Sequence, residues 1–177
     1  MVIAMKEFLD IVNAKGEPTG QVVARDTAHE NGIWHRTSHV WLVRRKNGTV
    51  QILLQKRTEM KSFPGCYDIS SAAHIPAGED FVTSALRELK EELGVTAKTE
   101  ELIFCGDRKI VSDDVFFGKE YHDRQYSRVF VLWKDLEEKE FVCNRKKWTA
   151  CVGWILPNAY RPWRQIHFSI ALKWKNF

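Results

Sequence analysis

Between Phe81 and Leu93 the apolar residues Val82, Ala85, Leu86, Leu89 and Leu93 recur at spacings of three and four. That period predicts an amphipathic helix with one stripe turned to a core. Glu88, Glu91 and Glu92 share its polar side. Elsewhere the pattern shortens to the period of strands. Glu7 to Ala14 and Gln21 to Arg25, separated by the Gly/Pro-rich Lys15 to Gly20, read as a hairpin. Val40 to Arg45 and Val50 to Arg57 flank Asn47-Gly48, the dipeptide best suited to a tight turn with positive φ. Leu102 to Val111, Val115 to Phe117 and Arg128 to Lys134 are further apolar, β-branched or aromatic runs. Strands on both sides of a single well-marked helix argue against a regular βαβ succession.

Length changes this picture little: 177 residues make one domain, or one with a short appendage, large enough to bury a core. No internal repeat or low-complexity linker interrupts it. Met1 to Glu7 has too short an apolar run for a signal peptide, and no later stretch is long enough to cross a bilayer. The expectation is a cytoplasmic protein with no membrane partner. Cys66, Cys105, Cys143 and Cys151 lack CxxC spacing, so reduced, mostly buried thiols are expected.

Chemistry enters with the helix. Carboxylates at Glu88, Glu91 and Glu92 repel one another, and a cation is the natural reason to collect them. Oxygen-only ligands favour a hard ion, Mg2+ or Mn2+. Arg87, one turn before Glu91, is placed to brace it with paired hydrogen bonds. The plainer alternative is a solvated charged face.

Glu79, seven intervening residues, then Arg87-Glu88-Leu89-Lys90-Glu91-Glu92-Leu93-Gly94-Val95 resembles the Nudix hydrolase box, G-x5-E-x7-R-E-U-x-E-E-x-G-U with U aliphatic. Every position matches except the leading glycine, which is Ala73 here. The resemblance implies an α/β fold, a Nudix-type α/β/α sandwich with a mixed β-sheet, that hydrolyses a diphosphate linkage. It implies Glu88, Glu91, Glu92 and the Ala73 carbonyl as metal ligands, and gives catalytic work to Glu88, Arg87 and Glu91 with Glu79 in support. Its substrate would be nucleotide-like or isoprenoid-like. If the family glycine uses left-handed backbone, alanine there costs about 1 kcal/mol or somewhat more.

Leu53 to Arg57, Lys61 to Gly65 and His74 are also similar to isopentenyl-diphosphate isomerase, a Nudix-fold enzyme. His29 and His35 stand roughly where that enzyme has metal-binding histidines, so a second metal on His29, His35 and His74 is one reading. Loop-anchoring histidines are the other. Ala72 takes the place of the isomerase's catalytic cysteine and cannot exchange a proton. Of its two later acids, one position falls near Asp123 and the other at Gln125. Hydrolysis is therefore favoured over isomerisation, with a catalytically impaired binding module as the opposing class. Arg57 and Lys61 are substrate candidates because a diphosphate needs positive charge, as is Arg124. Glu120 and Asp123 read as loop residues able to supply a ligand or base. Cys66 reads as an ordinary small thiol. The partner is a small-molecule diphosphate; a nucleic-acid polymer is not expected, and a homodimer is compatible with the sequence.

Residues 1–142 form the expected Nudix domain, and 143–177 differ from it. This C-terminal segment holds seven Lys/Arg, no Asp or Glu, and four of the seven tryptophans, so it outweighs a body of −3 and makes the net charge +4. It lacks the sustained amphipathic period of a membrane-binding helix. Synonymous codons read one base earlier from Cys143 restore acidic residues, a short strand and an amphipathic helix, the usual closing elements of a Nudix domain. The segment is accordingly read as the product of a frame shift near Val142.

Overall fold

The structure is a computed structural model describing residues 6–59, 63–142 and 148–155. The elements are β1 (Phe8–Val12), β2 (Pro18–Ala24), α1 (Arg25–Asn31), β3 (His35–Lys46), β4 (Thr49–Arg57), β5 (Tyr67–Asp68), β6 (Ser71–His74), α2 (Phe81–Leu93), β7 (Leu102–Phe116), β8 (Lys119–Trp133) and β9 (Trp148–Ile155). β1 and β2 pair as the expected hairpin. The other seven strands form one mixed sheet, in which β3 runs parallel to β8 from His35↔Gln125 to Val43↔Trp133.

β3 and β4 pair only near their shared turn, from Lys46↔Thr49 to Val43↔Ile52. Asn47 and Gly48 both have positive φ, 51° and 75°, as this turn requires. Beyond it the strands diverge, and β6 takes over the edge of β3 at Val40↔Ser71 to Thr37↔His74. Ser70 fills the fork. Its hydroxyl accepts from the Leu42 amide at 2.8 Å and donates to the Leu53 carbonyl at 2.7 Å.

Alternation along β3 sends Val40 and Leu42 to one face of the sheet and His35, Thr37 and His39 to the other. The first face packs with Leu53, Phe130 and Leu132 against Ala85, Leu89 and Leu93 of α2, forming the main core. The helix stripe is therefore as the period predicts, with Val82 and Leu86 partly buried at its margin. Asp80 caps α2 by accepting from the amides of Val82 and Thr83, and Gly94 ends it in the left-handed region at φ 69°.

Several elements differ from the sequence expectation. The two runs after Leu102 are one fifteen-residue strand, β7, and β8 begins at Lys119 instead of Arg128. Glu120 and Asp123 thus lie in a strand, not a loop. Ladder hydrogen bonds to β7 run from Phe116↔Lys119 to Leu102↔Leu132 and hold polar stretches extended where composition suggests a loop. α1, β5 and β6 are too short for a periodic signal. Ala73 lies within β6, and the non-glycine residues with positive φ among the described residues are Asn47, Phe63 and Phe117. The left-handed backbone considered for Ala73 is absent because the β3 ladder keeps it extended. Cys105 is exposed and Cys66 half-buried, against the expected buried thiols.

In the C-terminal segment, β9 pairs antiparallel with β4 from Ile52↔Ile155 to Arg57↔Trp148. The rest of that segment, like Lys61, lies outside the described residues. No helix among the described residues is long and apolar enough to cross a membrane.

Candidate active site

The approach to α2 is fixed before the helix starts. Arg36 and Asp10, both buried, form an ion pair at 2.7 Å. The same guanidinium donates to the Glu79 carbonyl at 2.9 Å, and Asp10 accepts from the Gly78 amide at 3.0 Å. The turn carrying Glu79 is thereby tied to β1 and β3.

Arg87 then gathers three carboxylates: Glu88 at 3.2 Å, Glu79 at 3.3 Å and Glu91 at 3.4 Å. The expected brace to Glu91 is one arm of this cluster. The three helix glutamates do not share one environment. Glu91 is exposed, whereas Glu88 and Glu92 are 7% and 2% exposed. Buried carboxylates require nearby positive charge or donors. Gln55, fully buried on β4, brings its Nε2 to 3.5 Å from Glu92 and donates to the Ser70 carbonyl. Oxygen ligands held partly out of water beside the Arg87 guanidinium fit a hard divalent cation.

A second constellation lies on the opposite face of the sheet, in a cleft of about 660 Å³. α1 delivers His29, β3 His35 and β6 His74, with their ligand atoms all within 4.8 Å of one another. His29 Nδ1 lies 3.0 Å from the Arg25 carbonyl and His35 Nδ1 lies 2.9 Å from the Ile33 carbonyl. A carbonyl only accepts, so both Nδ1 atoms carry the proton and both Nε2 atoms present bare lone pairs. These face Asp123 Oδ1 at 3.8 Å each. His35 Nε2 and Asp123 Oδ1 are buried with no hydrogen-bond partner.

Burial lowers the pKa of His29 to about 3, with His35 and Arg25 adding to the effect. Burial also lowers His35 and takes His74 well below its ordinary value. The Asp123 carboxyl is raised to about 6, again chiefly by burial. The neutral imidazoles of His29 and His35 with their tautomers fixed, the Asp123 oxygen they face, and His74 Nε2 at 3.3 Å from His29 Nε2 fit a cation that accepts nitrogen as well as oxygen.

Arg57 lines this cleft and pairs with Asp68. Arg124 is held by Asp113 at 2.6 Å, which turns it from a free phosphate contact into part of the β7–β8 hairpin. Glu120 is exposed near His122. Ala72 lines the cleft, so a methyl group stands beside the imidazoles. Sequence reading missed His39, Gln55 and Arg108. A period-two signal marks the first and last: His35, Thr37 and His39 share one face of β3, as Arg108, Ile110 and Ser112 share one face of β7. Gln55 follows the apolar run Ile52 to Leu54 and precedes Lys56 and Arg57, so its position in the sequence does not mark it as buried.

The NUDIX domain model matches residues 34–172. An uncharacterised Nudix hydrolase of Clostridium acetobutylicum is 36% identical over 141 residues, 79% of this chain and 66% of the relative. Nudix hydrolase 3 of Arabidopsis thaliana is 42% identical over 122 residues, 67% of this chain but 16% of that protein. The chain thus spans less than two thirds of either relative. Among solved structures, a Deinococcus radiodurans protein superposes with a TM-score of 0.59 at 23% identity, covering 85% of this chain and 84% of that one. At that identity the likeness concerns the fold, a mixed sheet with helices. With the box on a capped helix, its arginine gathering three carboxylates, and the family model spanning most of the sequence, the chain belongs to the Nudix family.

Proposed function

We propose that the chain is a metal-dependent Nudix pyrophosphohydrolase that cleaves a diphosphate linkage in a small nucleotide-like or isoprenoid-like substrate. The observation that carries this reading is Arg87 joined to Glu79, Glu88 and Glu91 on the same helix that holds Glu92 buried. In it Glu88, Glu91, Glu92 and the Ala73 carbonyl hold Mg2+ or Mn2+, which when bound activates water and offsets charge on the leaving phosphate. Arg87 keeps the carboxylates apart from one another and in register. Glu88 shares the work of the base, and Arg57 and Lys61 supply positive charge to the substrate. The buried imidazoles favour a second cation on His29, His35, His74 and Asp123. Isomerisation is disfavoured because Ala72 has no exchangeable proton and Gln125 is an amide.

The test is Mg2+-dependent phosphate release from a panel of nucleoside, sugar and isoprenoid diphosphates. Glu92→Gln keeps shape and helix propensity but removes a ligand charge, so activity falls by orders of magnitude while the melting temperature holds. Wild-type turnover in the variant removes Glu92 from the mechanism. A folded wild-type protein inactive on every diphosphate with Mg2+ and Mn2+ favours the binding-module reading.

A further inference from the structure

Arg25, Arg36, Arg44, Arg57, Arg87, Arg124 and Arg128 each form an ion pair with a carboxylate. Among the described residues that leaves two arginines. Arg45 is exposed to water, whereas Arg108 is half-buried in the wall of the imidazole cleft. Arg108 Nε is sealed from solvent without a hydrogen-bond partner.

Its surroundings do not supply the missing charge. His39 is buried and neutral, its pKa lowered to about 3 first by burial and then by Arg108, with the nearby Gln125 side chain opposing the shift. Ser127, opposite Arg108 in the ladder, is committed to Thr37 at 2.6 Å. The charges acting on Asp123 are those of Arg124 and Arg25, so Arg108 is not its counter-ion. Burial as the sole cause lowers the Arg108 pKa, as for a cation with no anion beside it. A guanidinium taken partly out of water without a partner is unfavourable, and its planar fork of donors matches the oxygens of a phosphate.

We propose that Arg108, with His39 and Gln125 beside it, forms an anion subsite in the imidazole cleft that takes a phosphate group. The identity of the anion as a phosphate rests on the hydrolase reading; the preference for an anion rests on the buried, unpartnered Nε of Arg108. Arg25 and Arg57 line the same cleft but are bound to Glu7 and Asp68, so among the arginines described in its wall Arg108 is the one without a carboxylate partner.

Calorimetric titration of the metal-free protein with inorganic pyrophosphate and, separately, inorganic phosphate tests this. Wild type binds pyrophosphate saturably; Arg108→Met weakens binding at least tenfold, Arg108→Lys weakens it less, and the exposed Arg45→Met leaves it unchanged. Pyrophosphate raises the melting temperature of wild type and not that of Arg108→Met. Without anion, Arg108→Met melts at the wild-type temperature or above, because it loses an unpaired charge. Equal affinity of Arg108→Met and wild type overturns the subsite, as does failure of wild type to bind either anion. A fall of several degrees in the anion-free melting temperature of Arg108→Met also overturns it, since the guanidinium would then be a structural part. Binding needs no turnover, so an inactive protein that binds pyrophosphate through Arg108 defeats only the hydrolase reading. An active enzyme whose Arg108→Met variant keeps full affinity defeats only the subsite.

Discussion

Ala73 illustrates how a single residue is judged differently by motif and by backbone. The family pattern places glycine there, and a left-handed conformation would make Ala73→Gly stabilising. In the sheet the residue is extended and buried, so the substitution removes a packed methyl and adds freedom to the unfolded chain. A loss of roughly 0.5–1 kcal/mol is expected, read as a lower denaturant midpoint. Gly94 behaves in the opposite way: its φ is 69°, and an added Cβ would approach Val142 Cβ to 2.9 Å. Gly94→Ala should therefore cost about 1 kcal/mol or more in the same unfolding assay. A neutral result would mean that the end of α2 shifts away from Val142.

At the scale of elements, α2 works as a carrier whose ends are pinned. Asp80 satisfies two amides at its start, and Arg36 ties the preceding turn to β1 and β3. Asp80→Ala should lower stability by about 1 kcal/mol. Because Glu88, Glu91 and Glu92 sit two turns or more further on and the Glu79 turn is held separately by Arg36 and Asp10, turnover per folded molecule should hold, and thermal melts read beside specific activity separate the two effects. At the edge of the sheet, β9 covers the backbone of β4 from Ile52 to Arg57. Ending the chain after Val142 uncovers those groups, so a lower melting temperature and earlier aggregation are expected. A truncated chain as stable as the full one would favour the frame-shift proposal for residues 143–177, which the nucleotide sequence of the gene tests directly.

For the whole molecule, the cleft couples stability to pH. His39 has an ordinary pKa of 6.5 and a folded value of about 3. Between these values the unfolded chain binds the additional proton. Stability is therefore complete above about pH 6.5 and declines as pH falls towards 3, by about 2 kcal/mol at pH 5 from His39 alone. His29 shifts in the same direction to a similar value. Thermal melts in a chelating buffer, which keeps cations from holding the imidazoles, should show this acid loss. In His39→Gln the slope should be shallower, and an unchanged slope would show that other groups carry it.

The helix was legible in the sequence because its apolar stripe and carboxylates are local features within one thirteen-residue element. The Asn47-Gly48 turn was legible for the same reason: its backbone demand is met by the two residues themselves. The metal-ligand reading of the box rested on spacing and on the family resemblance, and the ion pairs of Arg87 add an arrangement that spacing permits but does not impose. The cleft belongs to the tertiary structure. His29, His35, His74, Asp123 and Arg108 come from α1, β3, β6, β8 and β7, and their meeting depends on the parallel register of β3 with β8 and the antiparallel registers of β6 and β7. A shift of one residue in any of these pairings would turn its side chains to the other face. Burial, which makes the imidazoles neutral and leaves Arg108 without a counter-charge, exists only once those strands have paired.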